Sequence, residues 1–367
     1  MPAPDDRSWM HEALCLAAKG RGRTSPNPMV GCVLVNDGVL AGSGWHRRAG
    51  GPHAEVLALA AAGARAEGAT AFVTLEPCAH HGRTPPCVHA LIAGGVSRVV
   101  AAMEDPDPRT AGRGLAALRA AGIKAEVGLL SEQARRLNEQ YVHHRTTGRP
   151  FVTYKAGVSL DGRTAAADGS SQWITSPQAR LDAHRLRARS DAVCAGVGTV
   201  LADDPQLTPR GVSSSRAPLR VVVDSHARTP PGARVLSGDA PTVVFTAAGD
   251  GTPGAMALKE AGAEVVNAPG SDGRVSLTDM LQVLGEREIV SLLLEGGATL
   301  AGGFAAQGLI DRFVFYVAPK LLGSSQSGAL RGFCAGSVTD ALDLVIAEAR
   351  RIGPDLRVTA YPVRKAS

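Results

Sequence analysis

The sequence contains no long hydrophobic run and does not open on a basic stretch followed by an apolar core. Its longest apolar stretches, such as Val56 to Ala62, are far too short to cross a lipid bilayer. An export signal would show the missing pattern of basic and then apolar residues. We therefore expect a cytoplasmic protein with no membrane partner.

Aromatic residues are scarce and neither charge dominates, which argues against a nucleic-acid-binding protein. Aromatics make up 4% of the chain, and 39 basic against 34 acidic side chains give a net charge of +5. Residues 1–150 carry 17 of the basic and 13 of the acidic side chains, so the remainder is nearly neutral. Proteins that bind nucleic acids concentrate Lys and Arg on one face, often with aromatic side chains between them. We expect no nucleic-acid partner, and the scattered arginines suit a small anion.

Cysteine is too sparse and too scattered for a disulfide framework. Four of the six cysteines belong to no motif, and three of these four lie in apolar segments. Such cysteines are typical of reduced thiols in a protein core. The four are Cys15, Cys32, Cys194 and Cys334.

The length of 367 residues exceeds what one compact core usually contains, so the sequence predicts two domains. The segment Gly148-Arg149-Pro150 breaks a helical pattern and precedes a new apolar strand. We place a first domain over residues 1–148 and a second over residues 151–367.

The two remaining cysteines belong to the most informative motif of the chain, which combines His53, Glu55, Cys78 and Cys87. One histidine nitrogen and two thiolates are an established ligand set for a catalytic zinc, whose fourth position holds a water that ionises near neutral pH. Glu55 follows His53 too closely to share a helix face with it. We therefore predict three ligands and one proton shuttle, with Glu55 taking a proton from the water and delivering it to a leaving amine.

The spacing of the two cysteines departs from the general signature of zinc deaminases. That signature is His-x-Glu followed by Pro-Cys-x-x-Cys. Here eight residues, 79–86, separate Cys78 from Cys87. We predict that the second thiolate returns at the end of a loop, and that this loop frames the substrate.

Two histidines in that loop, His80 and His81, compete with His53 as metal ligands. A set of His80 with the two cysteines would leave His53 as a helix-capping residue and Glu55 without a purpose. We therefore predict that His80 and His81 contact the substrate.

Hydrophobic periodicity places the motif in a layered α/β sandwich. One predicted helix, over residues 54–65, begins just after His53, and another begins at Cys87. The zinc would thus lie between two helix N-termini, where backbone N–H groups and helix dipoles favour thiolates. The other predicted elements of the first domain alternate between strand and helix. They are helices over residues 8–19, 113–121 and 131–145, and strands over residues 29–35, 39–45, 70–75, 96–103 and 123–127.

The second domain contains no His/Cys cluster and no nucleophile motif, so its chemistry must come mostly from a bound group. Glycine-rich turns follow apolar strands at residues 196–199 and 296–303, and each opens a predicted helix. Glycines let backbone N–H groups approach an anion at a helix N-terminus, so both turns are candidate seats for the phosphates of a dinucleotide. Tight structural turns are the alternative, and neither turn matches the Gly-x-Gly-x-x-Gly of a Rossmann domain.

Together these motifs resemble the family of bifunctional riboflavin-biosynthesis deaminase/reductases over nearly the whole chain. The long loop between the cysteines is the most discriminating similarity. The shared segments of the first half are residues 26–28, 52–55, 74–78 and 80–87. Those of the second half are residues 159–163, 171–175, 199–205 and 295–297, whereas residues 211–218 and 226–288 are similar only loosely.

The resemblance implies two activities on two α/β folds. A cytidine-deaminase-like α/β/α sandwich would hydrolyse the exocyclic amine of a diaminopyrimidinone ribosyl phosphate to give an aminouracil. A dihydrofolate-reductase-like α/β domain would then use NADPH to reduce the ribosyl group to ribityl. The implied cofactors are zinc and NADPH, the partner is a small-molecule substrate, and we further expect a homo-oligomer.

The family's binding residues are carried over by motif onto two sets of positions, and arginines among them suit the substrate phosphate. NADPH would be lined by Gly157, Trp173, Thr199, Asp203, Ser225, Gly297, Ala298, Thr299, Leu300, Ala301, Gly302 and Gly303. Substrate would be held by Asn27 and His80 in the deaminase and by Ser171, Arg187, Leu207, Arg210 and Glu295 in the reductase.

Two of the charged residues have alternative interpretations. Lys155 is our candidate for polarising or protonating the opening sugar, but a strand lysine can also simply pair with a carboxylate. Arg187 lies on a helix with Arg180, Arg185 and Arg189, where most such charges face solvent.

Two other classes of protein share part of the pattern. A nucleic-acid adenosine deaminase would share the zinc motif, but it predicts a short cysteine spacing and a basic second half. A non-catalytic metal- and nucleotide-binding regulator would have less reason to retain Glu55, since a closed structural zinc site has four protein ligands. The sequence therefore favours the enzyme with two activities.

Overall fold

The computed structural model describes residues 5–80, 85–323 and 328–363. The chain divides into two compact units, Met1–Gly148 and Arg149–Ser367. The last helix of the first unit ends at Gly148, whose φ of 73° is a left-handed conformation that glycine adopts without strain. Among the described residues, every helix is too short or too polar to traverse a bilayer.

The first unit combines helices and strands in nearly the order that its periodicity predicts. In chain order they are α1 (Asp6–Ala18), β1 (Gly31–Asn36), β2 (Val39–Trp45), α2 (Ala54–Ala62), β3 (Thr70–Val73), α3 (Cys87–Ala93), β4 (Arg98–Ala101), α4 (Arg113–Ala120), β5 (Lys124–Val127), α5 (Ser131–Leu137) and α6 (Glu139–Thr147). Their strands form a sheet of order β2-β1-β3-β4-β5, in which β1 is antiparallel to β2 and β3, while β3, β4 and β5 are parallel.

The sheet of the first unit is covered on both faces. Alternate residues of β1 point in opposite directions, as a strand requires. Cys32 and Leu34 pack with the apolar side chains of α2, α3 and α4, whereas Val33 and Val35 pack with those of α1, α5 and α6. The result is the three-layered α/β/α arrangement predicted for this unit.

Close packing of α2 on β2 fixes the position of the helix that begins after His53. Gly44 of β2 allows this approach, because a Cβ there would lie 2.6 Å from the carbonyl oxygen of Ala54. A larger residue at Gly44 would displace the first turn of α2. That turn carries Glu55.

The predicted helix over residues 131–145 is interrupted, because Asn138 separates α5 from α6. The Oδ1 atom of Asn138 accepts a hydrogen bond from the N–H of Met29 at 2.8 Å, and its Nδ2 donates to the carbonyl of Met29 at 2.9 Å. The helical pattern of the sequence continues through residue 138, whereas the helix itself breaks there. The contact with Met29, a distant residue, stabilises the break. The prediction of one continuous helix was therefore wrong.

The second unit contains a larger sheet with a parallel centre. Its elements are β6 (Phe151–Ser159), α7 (Pro177–Arg189), β7 (Ala192–Gly196), α8 (Val197–Asp203), β8 (Leu219–Val223), β9 (Thr242–Thr246), α9 (Pro253–Glu260), β10 (Glu264–Asn267), α10 (Leu277–Glu286), β11 (Ser291–Glu295), α11 (Ala298–Ala306), β12 (Arg312–Ala318), β13 (Leu344–Ile352) and β14 (Asp355–Pro362).

The strand order in this sheet is β10-β9-β8-β7-β11-β6-β12-β14-β13. Neighbours from β10 to β12 are parallel, and β14 is antiparallel to both β12 and β13. Parallel strands end at one edge of a sheet, where open α/β sheets usually bind their ligands. The glycine-rich turns after β7 and β11 and the end of β6 share that edge, and both turns open helices, α8 and α11, as predicted.

Candidate active sites

The three predicted zinc ligands converge in the first unit. His53 precedes α2, Cys87 begins α3, and Cys78 follows β3. The Nδ1 atom of His53 lies 3.0 Å from the Sγ of Cys87 and 3.7 Å from the Sγ of Cys78, and the three ligand atoms lie within 4.8 Å of one another. Ligands of one tetrahedral zinc are about 3.5 to 3.8 Å apart, given bond lengths of about 2.0 to 2.3 Å. The site therefore fits a zinc ion with three protein ligands.

The electrostatics around the two sulfurs favour a thiolate. The sulfur of Cys78 accepts a hydrogen bond from the thiol of Cys87 and another from its backbone N–H, whose nitrogen is 3.3 Å away. These two hydrogen bonds lower the pKa of Cys78. The same contact raises the pKa of Cys87, because its proton is held between the two sulfurs. A cation bound by both sulfurs would take the place of that proton.

Glu55 lies in the first turn of α2 and is 3% exposed. Burial raises the pKa of its carboxyl above the usual value. A carboxyl with a raised pKa takes up and releases a proton more readily near neutral pH than an exposed one. This placement fits the predicted proton shuttle.

His46 also belongs to this site, although the sequence did not single it out. Its ring lies 5.5 Å from that of His53, edge to face. Its Nδ1 is 3.0 Å from the carbonyl oxygen of Pro52, and its Nε2 is 3.1 Å from the Nδ2 of Asn27. Burial lowers the pKa of His46, so the ring is neutral and holds the predicted substrate residue Asn27 in place. The single histidine at the end of a strand carries no spacing signal that would reveal this.

Glu76 positions the segment that leads into Cys78, a second feature that sequence reasoning missed. Its buried carboxylate accepts hydrogen bonds from four backbone N–H groups, one just after β4 and three at the start of α4. The donors are Asp105 at 3.2 Å, Gly112 at 2.9 Å, Gly114 at 2.8 Å and Leu115 at 3.2 Å. A carboxylate at a helix N-terminus is electrostatically favoured, so this contact anchors the second ligand to α4.

His80 is held near the site, where its Nδ1 lies 3.2 Å from the Oγ1 of Thr110. Within the described residues, the structure groups His53 with the two cysteines, and His80 is not part of that group. His81, the other predicted substrate contact in the loop, lies outside the described residues.

The second unit contains a cavity of about 460 Å³ at the ends of β6 and β11. It is lined by several predicted residues, namely Lys155, Gly157, Ser171, Trp173, Thr199, Asp203, Arg187 and Arg210. Glu295, at the end of β11, is 4% exposed and accepts from the Nε and Nη2 of Arg187 at 2.8 Å and 2.7 Å. The Nζ of Lys155 lies 3.4 Å from the same carboxylate.

This ion-pair network explains the orientation of its members. Burial opposes the ionisation of Glu295, but Arg187 and Lys155 outweigh it and hold its pKa at about 2. The side chain of Arg187 is 14% exposed, against 50% for Arg185 on the same helix. The solvent-facing interpretation of Arg187 is therefore wrong. Lys155 pairs with a carboxylate, as its structural interpretation holds, and it also lines the cavity, so its role in opening the sugar stays a prediction.

An adjoining cavity of about 640 Å³ fits a dinucleotide. The two glycine-rich turns and the helix N-termini of α8 and α11 line it, as does Ser225. The two cavities share lining residues, among them Thr199, Asp203 and Gly297. An extended cofactor in the larger cavity could therefore place one end beside the smaller one. Predicted residues here also include Ala298, Thr299, Leu300 and Gly303.

Three predicted binding residues are not among the described residues that line the two cavities. Their side-chain positions are buried elsewhere. Ala301 is fully buried in the core, and Leu207 is 1% exposed in a second core cluster. A Cβ on Gly302 would clash with the carbonyl of Arg331. The side chain of Leu207 and the two α11 positions thus serve packing, because they lie on the inner face of their segments.

Comparison with known proteins identifies the family. Residues 150–358 match the RibD C-terminal domain, and residues 3–103 match the cytidine and deoxycytidylate deaminase zinc-binding region. The chain is 45% identical to the riboflavin biosynthesis protein RibD of Escherichia coli, with 96% of this chain and 98% of that protein aligned. The chain belongs to the RibD family.

Solved structures agree over the whole length. RibD of Acinetobacter baumannii is 40% identical with a TM-score of 0.89, covering 98% of this chain and 99% of that one. A Thermotoga maritima diaminohydroxyphosphoribosylaminopyrimidine deaminase/5-amino-6-(5-phosphoribosylamino)uracil reductase is 34% identical with a TM-score of 0.85, covering 97% and 98%. The predicted fold class is confirmed, and the chain is a bifunctional deaminase/reductase of riboflavin biosynthesis. Zinc in the deaminase domain and NADPH in the reductase domain are likewise confirmed as the cofactors.

Proposed function

We propose that residues 1–148 deaminate a diaminopyrimidinone ribosyl phosphate, and that residues 151–367 reduce the ribosyl group of the product to ribityl. The observation that carries this proposal is the convergence of His53, Cys78 and Cys87 beside the buried carboxyl of Glu55. The two reactions named for the Thermotoga relative support the choice of substrates.

In the deaminase, His53, Cys78 and Cys87 would hold the zinc. The metal supplies an activated water as the nucleophile. Glu55 takes a proton from that water as it adds to the ring carbon bearing the amine. Glu55 then gives the proton to the amine, the C–N bond breaks and ammonia leaves, while the proton of the added hydroxyl passes to the adjacent ring nitrogen and a ring carbonyl remains. Because Glu55 is buried, bulk water does not compete with the amine for its proton.

Substrate recognition at this site falls to neighbouring polar groups. His46 holds the amide of Asn27, and that amide can hydrogen-bond the pyrimidine ring. His80 stands beside Thr110 at the start of the loop that frames the site. These groups orient the ring so that its amine-bearing carbon meets the water.

In the reductase, the larger cavity would hold NADPH with its phosphates near the N-termini of α8 and α11. The cofactor supplies a hydride. Reduction of the ribosyl carbon that bears the amine would break its bond to the ring oxygen, and that oxygen would need a proton. Lys155 is the proposed donor of that proton, held in position by Glu295.

Arg210 is the proposed contact of the substrate phosphate. Its guanidinium donates to the neutral amide of Gln206 at 3.2 Å, so its charge is not neutralised there. Its backbone N–H donates to the Nδ1 of His184 at 3.2 Å, which fixes the segment at the cavity wall. A phosphate can be bound in bidentate fashion by such a guanidinium.

We also propose a homo-oligomer that works in the cytoplasm. Three consecutive apolar side chains of β13 are exposed, Leu344 by 39%, Val345 by 59% and Ile346 by 65%. Apolar surface of this kind is typical of a protein interface, and a second copy is the proposed occupant. All six cysteines are free, as expected in a reducing compartment.

The proposal is tested with zinc-loaded, full-length protein and the diaminopyrimidinone ribosyl phosphate. Ammonia should be released without NADPH, and NADPH added afterwards should lose its absorbance in step with the aminouracil formed. The metal-free protein, given the same substrate, is the control. Absence of ammonia release from zinc-loaded protein would contradict the deaminase assignment, and oxidation of NADPH before deamination would contradict the order of the two steps.

A further inference from the structure

One edge of the sheet in the first unit carries the zinc site, and we call it the active edge. At this edge β1 begins and β2 and β3 end, because Gly31 pairs with Trp45 and Cys32 pairs with Val73. The helix α1 also ends there, since a Cβ on Gly31 would lie 2.8 Å from the backbone nitrogen of Ala17. The segments that follow α1 and β2 therefore lie at the same edge as the zinc ligand that follows β3.

Those two segments carry basic side chains and are in contact with each other. A Cβ on Gly20 would lie 2.9 Å from the carbonyl oxygen of His46, whose ring is 5.5 Å from that of the first zinc ligand. The Nζ of Lys19 and the guanidinium carbon of Arg47 each lie 4.9 Å from the ring centroid of Trp45. We use the name cationic surface for the five basic residues of the two segments, which are Lys19, Arg21, Arg23, Arg47 and Arg48.

All five residues of the cationic surface are exposed to solvent. Within residues 5–80 and 85–148, none of them takes part in an ion pair. The ion pairs in that part of the chain join Arg98 to Asp6 and Glu126, Lys124 to Glu126, and Asp107 to Arg109 and Arg145. The five positive charges are therefore available to an anion from solution.

Acidic side chains at the active edge offset little of this charge. Four of them are buried, namely Glu55, Glu76, Asp105 and Asp107. Four backbone N–H groups bind the carboxylate of Glu76, and the Oδ2 of Asp107 lies 2.6 Å from the Nη2 of Arg109. Glu104, which follows β4, is exposed and supplies one negative charge against five positive ones. The solvent side of the active edge is therefore positive.

The dipole of α1 explains only part of the cationic surface. The carbonyl end of a helix favours nearby cations, which accounts for Lys19 at the end of α1 but not for Arg47 and Arg48, which follow a strand. The proposed substrate of this unit carries a phosphate, and a phosphate monoester has a charge of about −2 near neutral pH. We infer that the cationic surface attracts the phosphate of the deaminase substrate and strengthens its binding. This inference rests on the proposed function of residues 1–148.

Attraction of this kind acts on binding and not on the chemical step. The phosphate takes no part in the hydrolysis of the ring amine, so its attraction stabilises the bound substrate and the transition state equally. Loss of the charges should therefore raise KM and leave kcat unchanged. By Coulomb's law with salt screening, two unit charges roughly 8 Å from a dianion in water change its binding about tenfold at about 10 mM salt and about threefold at about 150 mM.

The test measures ammonia release by full-length, zinc-loaded protein at low and at physiological salt. One double variant combines Arg47→Gln with Arg48→Gln, and a second, in the other segment, combines Arg21→Gln with Arg23→Gln. Each should raise KM for the diaminopyrimidinone ribosyl phosphate about tenfold at about 10 mM salt and about threefold at about 150 mM. The zinc content, kcat and the KM for the dephosphorylated substrate should stay at the parent's values.

Two exposed arginines at the opposite edge of the same sheet provide a matched control. Arg7 lies in the first turn of α1, and the carbonyl oxygen of Arg65 accepts a hydrogen bond from Asn36 at the end of β1, at 3.1 Å. Combining Arg7→Gln with Arg65→Gln removes the same net charge far from the active edge. This variant should keep the parent's KM at both salt concentrations.

The outcomes separate this inference from the proposed function beneath it. The parent's KM for the phosphorylated substrate should rise with salt, and it should rise less steeply in both double variants at the active edge. An equal increase in KM for the dephosphorylated substrate, or an equal increase in the control variant, would overturn the inference and leave the deaminase assignment intact. A parent protein that releases no ammonia would refute the deaminase assignment itself, and the inference would fail with it.

Discussion

Replacing Glu55 with glutamine removes one function and little else. The amide has almost the shape of the carboxyl, so the first turn of α2 and its packing on Gly44 should persist. Glutamine cannot accept the proton of the nucleophilic water or return it to the amine. Burial already raises the pKa of Glu55, so exchange for a neutral side chain should not destabilise the fold.

The expected loss follows from the number of proton transfers. General acid–base catalysis by one positioned side chain contributes about 10²- to 10⁴-fold. In this site the same carboxyl acts twice, once as base and once as acid. The loss of deamination rate should therefore lie at the upper end of that range, at about 10⁴-fold. That factor corresponds to about 5.5 kcal/mol in the activation barrier.

Three measurements on one preparation decide the matter. Zinc content per chain should equal that of the parent, ammonia release should fall as stated, and NADPH oxidation with supplied aminouracil substrate should be unchanged. Glu67→Gln, an exposed glutamate of the same unit, is the control and should retain all three. Deamination within a few-fold of the parent would refute the shuttle role. Loss of zinc together with activity would show instead that Glu55 supports the metal.

Four further outcomes are expected. Arg210→Ala should raise the reductase KM chiefly for phosphorylated substrate, and an equal rise for a dephosphorylated analogue would remove its assigned role. Residues 151–367 alone should oxidise NADPH with deaminated substrate, whereas a folded but inactive product would count against independent units. A zinc chelator should abolish ammonia release and leave that oxidation intact; parallel loss of both would link the reductase to the metal. Burial raises the pKa of Asp105 to about 6, so the folded state retains a proton that the unfolded state releases, and stability falls as pH rises from about 4 to 6. Asp105→Asn should remove this fall, at most about 3 kcal/mol in the free energy of unfolding, and an unchanged pH profile in denaturant titrations would contradict the assignment.

Much of the deaminase site follows from local sequence alone. His53 and Cys87 lie at helix starts that capping and periodicity predict, and Cys78 follows a strand that the apolar run predicts. Their convergence then depends only on two helices starting at the same end of one sheet.

What the sequence could not supply depends on contacts between distant segments. Asn138 ends a helix because its amide binds the backbone of Met29, 109 residues earlier. Glu76 accepts hydrogen bonds from backbone N–H groups up to 39 residues later in the chain. The position of neither residue in the sequence shows a spacing or periodicity that would predict its partner.

Arg187 shows how such a contact changes a functional assignment. Helical periodicity cannot distinguish it from its solvent-facing neighbours, and a carboxylate 108 residues later decides its orientation. Because Glu295 binds that guanidinium in bidentate fashion and also contacts Lys155, it compensates one of the two positive charges and holds both cations in ion pairs. Arg210, bonded to a neutral amide, keeps its full charge. The substrate phosphate should therefore prefer Arg210, and the Arg187–Glu295 pair would hold Lys155 at the proposed place of sugar opening.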